Sequence, residues 1–210
     1  MEMSEKQLHI LAVAESLFAS KGYEGTSVRD IAQAAEVNVA MISYYFGSKE
    51  KLLQSLIMER MRWAGLMLEE LSQNKTMGPW DKMDVIIDFY VDRMLKNRDY
   101  HTILSRQMSL AQNEELTKIL VDIKRRNSEM IFQIINEGKE KGIFKDVDNE
   151  LTIGTVIGTI SQTSMSRPFY CSLLNIDRDD EETYYKLIEP RLKKHLKSLL
   201  RAYLSLGASE

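Results

Sequence analysis

The sequence predicts an all-α fold of about nine helices, an N-terminal three-helix segment followed by a larger helical part. Three observations lead there. Apolar residues recur at helical spacing through most of the 210 residues. Gly (10) and Pro (3) are too scarce for a protein of many short strands and tight turns. Ser, Asn and Gly also stand where helices need starts and stops. A 44% apolar content suffices for a packed core, and the single Cys excludes an internal disulfide framework or thiolate metal cluster. No uninterrupted apolar run reaches the roughly 18 residues of a membrane span, and Met1–Gln7 is polar, unlike a signal peptide. A cytoplasmic location with no membrane partner is therefore expected. The net charge of -3 gives no hint of nucleic acid, so any such signal must be local.

Residues 4–21 place Ile10, Leu11, Ala14, Leu17 and Phe18 on one helix face, and Gly22 supplies a C-terminal stop. Ser27 and Asp30 form a variant capping box for a short helix over 27–34. A three-residue turn, Ala35 to Val37, leads to Asn38, an N-cap for a third helix over Val39 to Tyr45. Gly47 ends it, and Ser48 opens a long fourth helix reaching about Gln73. The interruption from Asn74 to Pro79 precedes a helix over 80–95, and further helices are expected over 99–111, 114–141, 151–165 and 191–206.

Residues 22–53, GYEGTSVRDIAQAAEVNVAMISYYFGSKEKLL, carry the most information. Two short capped helices joined by a tight turn present the second as a rod, and a major groove about 12 Å wide admits such a rod. The ordered residues Leu17-Phe18, Gly22, Thr26-Ser27-Val28, Ile31-Ala32, Val37-Asn38, Tyr44-Tyr45-Phe46, Lys49 and Leu52-Leu53 resemble the TetR family of bacterial transcription regulators. Two positions depart from that pattern: Glu36 stands where the family usually has Gly, and Ser43 where it favours Tyr.

The resemblance implies a homodimeric regulator, by default a repressor, that binds a palindromic double-stranded DNA operator. Residues 1–50 would form the DNA-binding domain and 51–210 the effector-binding and dimerisation domain. It implies phosphate contacts from Ser27 and Lys49, a base or phosphate contact from Arg29, a base-facing surface of Val39, Ala40, Met41 and Ser43, and phosphate clamps from Tyr44 and Tyr45. Core packing is the competing reading for both tyrosines. Charge argues the other way. Over 1–52, five basic residues (Lys6, Lys21, Arg29, Lys49, Lys51) face seven acidic ones (Glu2, Glu5, Glu15, Glu24, Asp30, Glu36, Glu50), a net of -2.

In the larger domain, small residues including Gly154 and Gly158 on one helix, and Leu192, Leu196, Leu199 and Tyr203 on the last, are candidates for a dimer interface. Internal packing is the competing reading. The last helix is expected to expose Lys193, Lys194, Lys197 and Arg201. An apolar cavity for an unidentified small-molecule effector is expected near Trp80, Phe89, Tyr90, Met94, Gln107, Met108, Asn127, Phe132 and Gln162, with Gln133 a further polar candidate. No cofactor, metal site or enzymatic chemistry is expected. His9, His101 and His195 are scattered, Cys171 has no His partner nearby in sequence, and no phosphate loop or nucleophile elbow is present. The alternative reading is a helical small-molecule-binding or protein-interaction module whose DNA binding is weak or vestigial.

Overall fold

Local capping chemistry starts the first three helices. Ser4 and Gln7 satisfy each other's backbone N–H groups, with the Ser4 hydroxyl 3.3 Å from Gln7 N and Gln7 Oε1 3.0 Å from Ser4 N. Ser27 and Asp30 repeat the device, and Asn38 Oδ1 accepts the Ala40 N–H at 2.8 Å. The computed structural model describes residues 3–96, 100, 103 and 114–206. Among these are the helices α1 (Glu5–Lys21), α2 (Val28–Ala34), α3 (Val39–Phe46), α4 (Lys49–Gln73), α5 (Pro79–Lys96), α6 (Glu114–Glu140), α7 (Asn149–Met165), α8 (Arg167–Leu174) and α9 (Glu181–Leu204). The helix expected over 99–111, with Gln107 and Met108, lies outside the described residues except at Tyr100 and Ile103.

The chain condenses into two units, Met1–Trp63 with Asp99–Ile123, and Ala64–Arg98 with Lys124–Glu210. In the first, Ile10, Ala14 and Phe18 of α1 pack with Ile31 of α2, Ile42 and Phe46 of α3, Leu52, Leu56 and Ile57 of α4, and Leu116 and Leu120 of α6. Each Ile, Leu or Phe among these contributes roughly 1.5–3 kcal/mol on burial. That common core fixes the angle at which α3 leaves the unit. The turn before α3 places Glu36 at φ 54°, in the left-handed region that favours glycine.

In the second unit, α7 and α9 pack on α5. Tyr184, Ile188, Leu192, Leu196, Leu200 and Leu204 form a continuous buried stripe at steps of four. That stripe corrects the expected start of the last helix. It begins at Glu181, ten residues before the expected Arg191, and runs through Pro190. Pro190 is on the exposed side, so the lost backbone hydrogen bond falls where water replaces it. Helix α8, absent from the sequence-based expectation, is short and carries Pro168 in its first turn, where proline is suited.

The cationic side of α9 is only partly the solvated face expected from sequence: Lys194 and Arg201 are exposed, while Lys193 and Lys197 are half-buried. Lys193, Lys197 and Arg201 reach Asp92, Asp88 and Asp84 of α5 at 2.5, 2.7 and 2.6 Å. The acids ascend α5 by four residues while the bases descend α9 by four, so the two helices lie antiparallel along a ladder of charge.

Candidate nucleic-acid interface

Helix α3 presents one face outward. Ile42 and Phe46 are buried beneath it, Met41 and Tyr45 are half-buried, and Val39, Ala40, Ser43 and Tyr44 are exposed. Tyr44 is 82% exposed and its ring stands edge-on to Tyr45 at 5.2 Å. An aromatic held outward at that exposure gains little from packing, whereas its hydroxyl can reach a phosphate. Arg29 is exposed on α2. Of the predicted contacts, Arg29, Val39, Ala40, Ser43 and Tyr44 are therefore exposed, and Met41 and Tyr45 are half-buried.

Two predicted phosphate contacts are otherwise engaged. The Ser27 hydroxyl donates to Asp30 Oδ2 at 2.6 Å and accepts the Asp30 N–H at 3.1 Å. Those bonds, from the Ser27 hydroxyl and backbone N–H, hold the Asp30 carboxyl below its ordinary pKa. Its charge occupies the start of α2, so Ser27 is a cap here rather than an open phosphate donor. Lys49 is half-buried: its Nζ donates to Tyr23 O at 3.1 Å and Thr26 O at 3.2 Å, and lies 4.1 Å from the Tyr23 ring centroid. It therefore clamps the loop between α1 and α2 onto the start of α4. Burial, then the neighbouring Glu50 and Glu24 carboxylates, keep the Tyr23 hydroxyl protonated well beyond the usual tyrosine range. Charge-assisted bonds of this kind are worth more than neutral ones, with some discount for partial exposure. Lys49→Met is expected to cost about 1–2 kcal/mol of first-unit stability, read as a lower thermal midpoint by circular dichroism.

Two of the acids of 1–52 are engaged locally. Glu15 is buried and paired with Arg60 of α4, whose Nε lies 2.8 Å from Glu15 Oε2. Sequence reasoning passed over this pair, although a glutamate set between Ala14 and Phe18 on an apolar face was its signal. Asp30 is taken up by the cap.

The expected effector residues are more dispersed. Tyr90 lines an apolar cavity of about 20 Å³ with Met83, Ile86, Ile131, Val156 and Leu200 among its neighbours. That is room for about one water, against the several hundred Å³ of a small-molecule pocket. Burial pushes the Tyr90 hydroxyl up to about 12, opposed by a hydrogen bond with Asn127, itself buried. Met94 belongs to the core, Trp80 stacks edge-on against Phe144 at 4.6 Å, and Phe89 packs edge-on against Tyr90 at 5.6 Å. Phe132 is half-buried. Gln133 is exposed, and Gln162 is exposed with its Nε2 donating to Ser166 Oγ at 2.8 Å, so neither lines an interior space.

Among the dimer candidates, Gly154 and Gly158 face open space on the exposed side of α7, and Tyr203 is 42% exposed. Leu192 and Leu196 are corrected: both are buried in their own unit's core, and Leu199 packs against it.

Comparison with known proteins adds to this geometry. Residues 10–56 match the family of bacterial regulatory proteins, tetR family, and residues 76–165 match the tetracyclin repressor-like C-terminal domain. The chain belongs to the TetR family. Among relatives of this TetR-family chain, the "Probable HTH-type transcriptional regulator YttP" of Bacillus subtilis is 27% identical, covering 96% of each chain. The "Fatty acid metabolism regulator protein" of the same organism is 29% identical, covering 75% of this chain and 81% of the relative. The ketosteroid transcriptional regulator KstR2 of Mycobacterium tuberculosis shares the fold at TM-score 0.74 and 16% identity, covering 98% and 97% of the two chains. The TetR-family chain is accordingly a transcriptional regulator with a helix-turn-helix, and no described helix is long and apolar enough to cross a membrane.

Proposed function

We propose that the protein is a homodimeric repressor whose α3 enters the major groove of a palindromic operator, and whose affinity for that operator is altered by a small-molecule effector. The observation that carries this reading is the outward face of α3, with Tyr44 82% exposed above buried Ile42 and Phe46. Residues 1–50 are the reading segment and 51–210 the effector and dimer portion. Gly154 and Gly158, exposed on α7, suit close approach by a helix of a second copy. The cavity beside Tyr90 is the seed of an effector site, which a ligand would have to enlarge. The long α4 supplies residues to both units and would carry the response. The relatives include a fatty acid metabolism regulator and a ketosteroid regulator, which favours an apolar effector.

Duplex binding by fluorescence anisotropy at low salt, on sites enriched from random DNA, tests the reading. Arg29→Ala and Tyr44→Ala are each expected to weaken binding at least about tenfold, the value of roughly one lost charged or clamping contact, with the helical content unchanged. Wild-type protein that binds no duplex would favour a helical ligand-binding or interaction module, the reading that the acidic balance of 1–52 supports.

A further inference from the structure

The chemistry of the outward α3 face names the kind of base it reads, granted the DNA-binding role proposed above. Each base pair shows a distinct edge in the major groove, and two kinds of side chain read it strongly. Arg or Lys grips guanine through two hydrogen bonds, and Asn or Gln grips adenine through two. Helix α3, VAMISYYF, contains none of these four residues. Its N-cap Asn38 is exposed, but Asn38 Oδ1 already accepts the Ala40 N–H at 2.8 Å. The two-bond grip on adenine would have to share that oxygen with the cap, whose geometry fixes the amide.

What remains exposed on α3 is the aliphatic pair Val39 and Ala40 at the leading turn, then the hydroxyls of Ser43 and Tyr44. Major-groove edges offer one apolar feature to such a pair, the 5-methyl group of thymine. On α2 and α3 together, Arg29 is the only cation. We infer that α3 reads its half-site through thymine methyl groups packed on Val39 and Ala40, and that any guanine in the half-site is read by Arg29 from α2. Specificity under α3 is then apolar and salt-insensitive, while the salt-dependent part of affinity comes from other contacts.

Replacing thymine by deoxyuridine removes that methyl and leaves every hydrogen-bonding group in place. Full-length protein would be used to select from two random duplex libraries, one amplified with dTTP and one with dUTP. The expected result is T-containing half-sites from the first library, no matching enrichment from the second, and about fourfold weaker anisotropy binding for each critical T replaced by dU, the value of one buried methyl-sized group. Val39→Ala, a surface change that leaves the core intact, is expected to shrink the dU penalty at one position. Equal enrichment of the same sites from both libraries would overturn methyl reading while leaving DNA binding standing. Half-sites containing only G·C pairs would do the same. Enrichment from neither library would overturn the DNA-binding reading itself.

Discussion

Gly138→Ala is expected to destabilise the second unit by about 3 kcal/mol, at the upper end of ordinary overpacking. A Cβ built on Gly138 would lie 2.1 Å from Cδ2 and 2.6 Å from Cγ of Phe144, inside the ring. The ring has nowhere to retreat. It is 2% exposed and stacks edge-on against Trp80 with centroids 4.6 Å apart. Its backbone is fixed as well: Phe144 N donates to Gly138 O at 3.0 Å, and the next residue, Lys145, donates to Leu204 O at 2.9 Å. Alanine would recover about 1 kcal/mol of helix propensity, so the measured loss is net of that gain. Gly142 provides the contrast. It has φ +63° and nothing within 4 Å of a Cβ, so Gly142→Ala carries only the left-handed backbone cost, about 1 kcal/mol. Urea unfolding followed by Trp80 fluorescence in a Trp63→Phe background isolates this unit. Equal losses at the two glycines would contradict the steric account.

That contrast also shows what a sequence can disclose. Helix starts at Ser4, Ser27 and Asn38 and stops at Gly22 and Gly47 are decided within four residues, so capping chemistry reveals them directly. The outward face of α3 follows from the same local signals together with the apolar positions Ile42 and Phe46. Partners far along the chain are another matter. Asp88 meets Lys197 across 109 residues, and Asp84 meets Arg201 across 117. Spacing by four was visible on each helix, but it does not say which two helices lie side by side. Burial has the same limit: Leu192 and Leu196 have the periodicity of a dimer seam or of a core, and only the packing of α9 on α5 decides between them. The phosphate contact expected of Lys49 rests on the family resemblance and not on its local sequence. Its engagement by Tyr23 O and Thr26 O depends on a loop more than twenty residues earlier in the chain.

The pair Lys82–Glu137 is expected to respond very unequally to loss of its two members. Lys82 is 1% exposed and its Nζ lies 2.7 Å from Glu137 Oε2. Glu137 is 24% exposed and also meets Lys141 at 2.5 Å. Lys82→Met removes a buried charge and keeps its volume, while Glu137 retains Lys141 and some water, so the cost is expected below about 1.5 kcal/mol. Glu137→Gln strands an ammonium in the interior, where breaking one side of a buried pair costs about 3–5 kcal/mol. Acid should imitate the second change. Hydrogen bonds from Lys141 and then Lys82 hold the Glu137 carboxyl below its ordinary value of 4.5. A depressed carboxyl contributes stability that is fully present above the unfolded value and lost as pH falls through the folded one. Wild type should therefore lose stability as pH drops below 4.5, and Lys82→Met should show a smaller acid loss because one of the two bonding partners is gone. Urea midpoints from neutral to acid pH separate these outcomes. Equal costs for the two substitutions would mean that the ammonium is not held by Glu137, and the buried-pair account would fail.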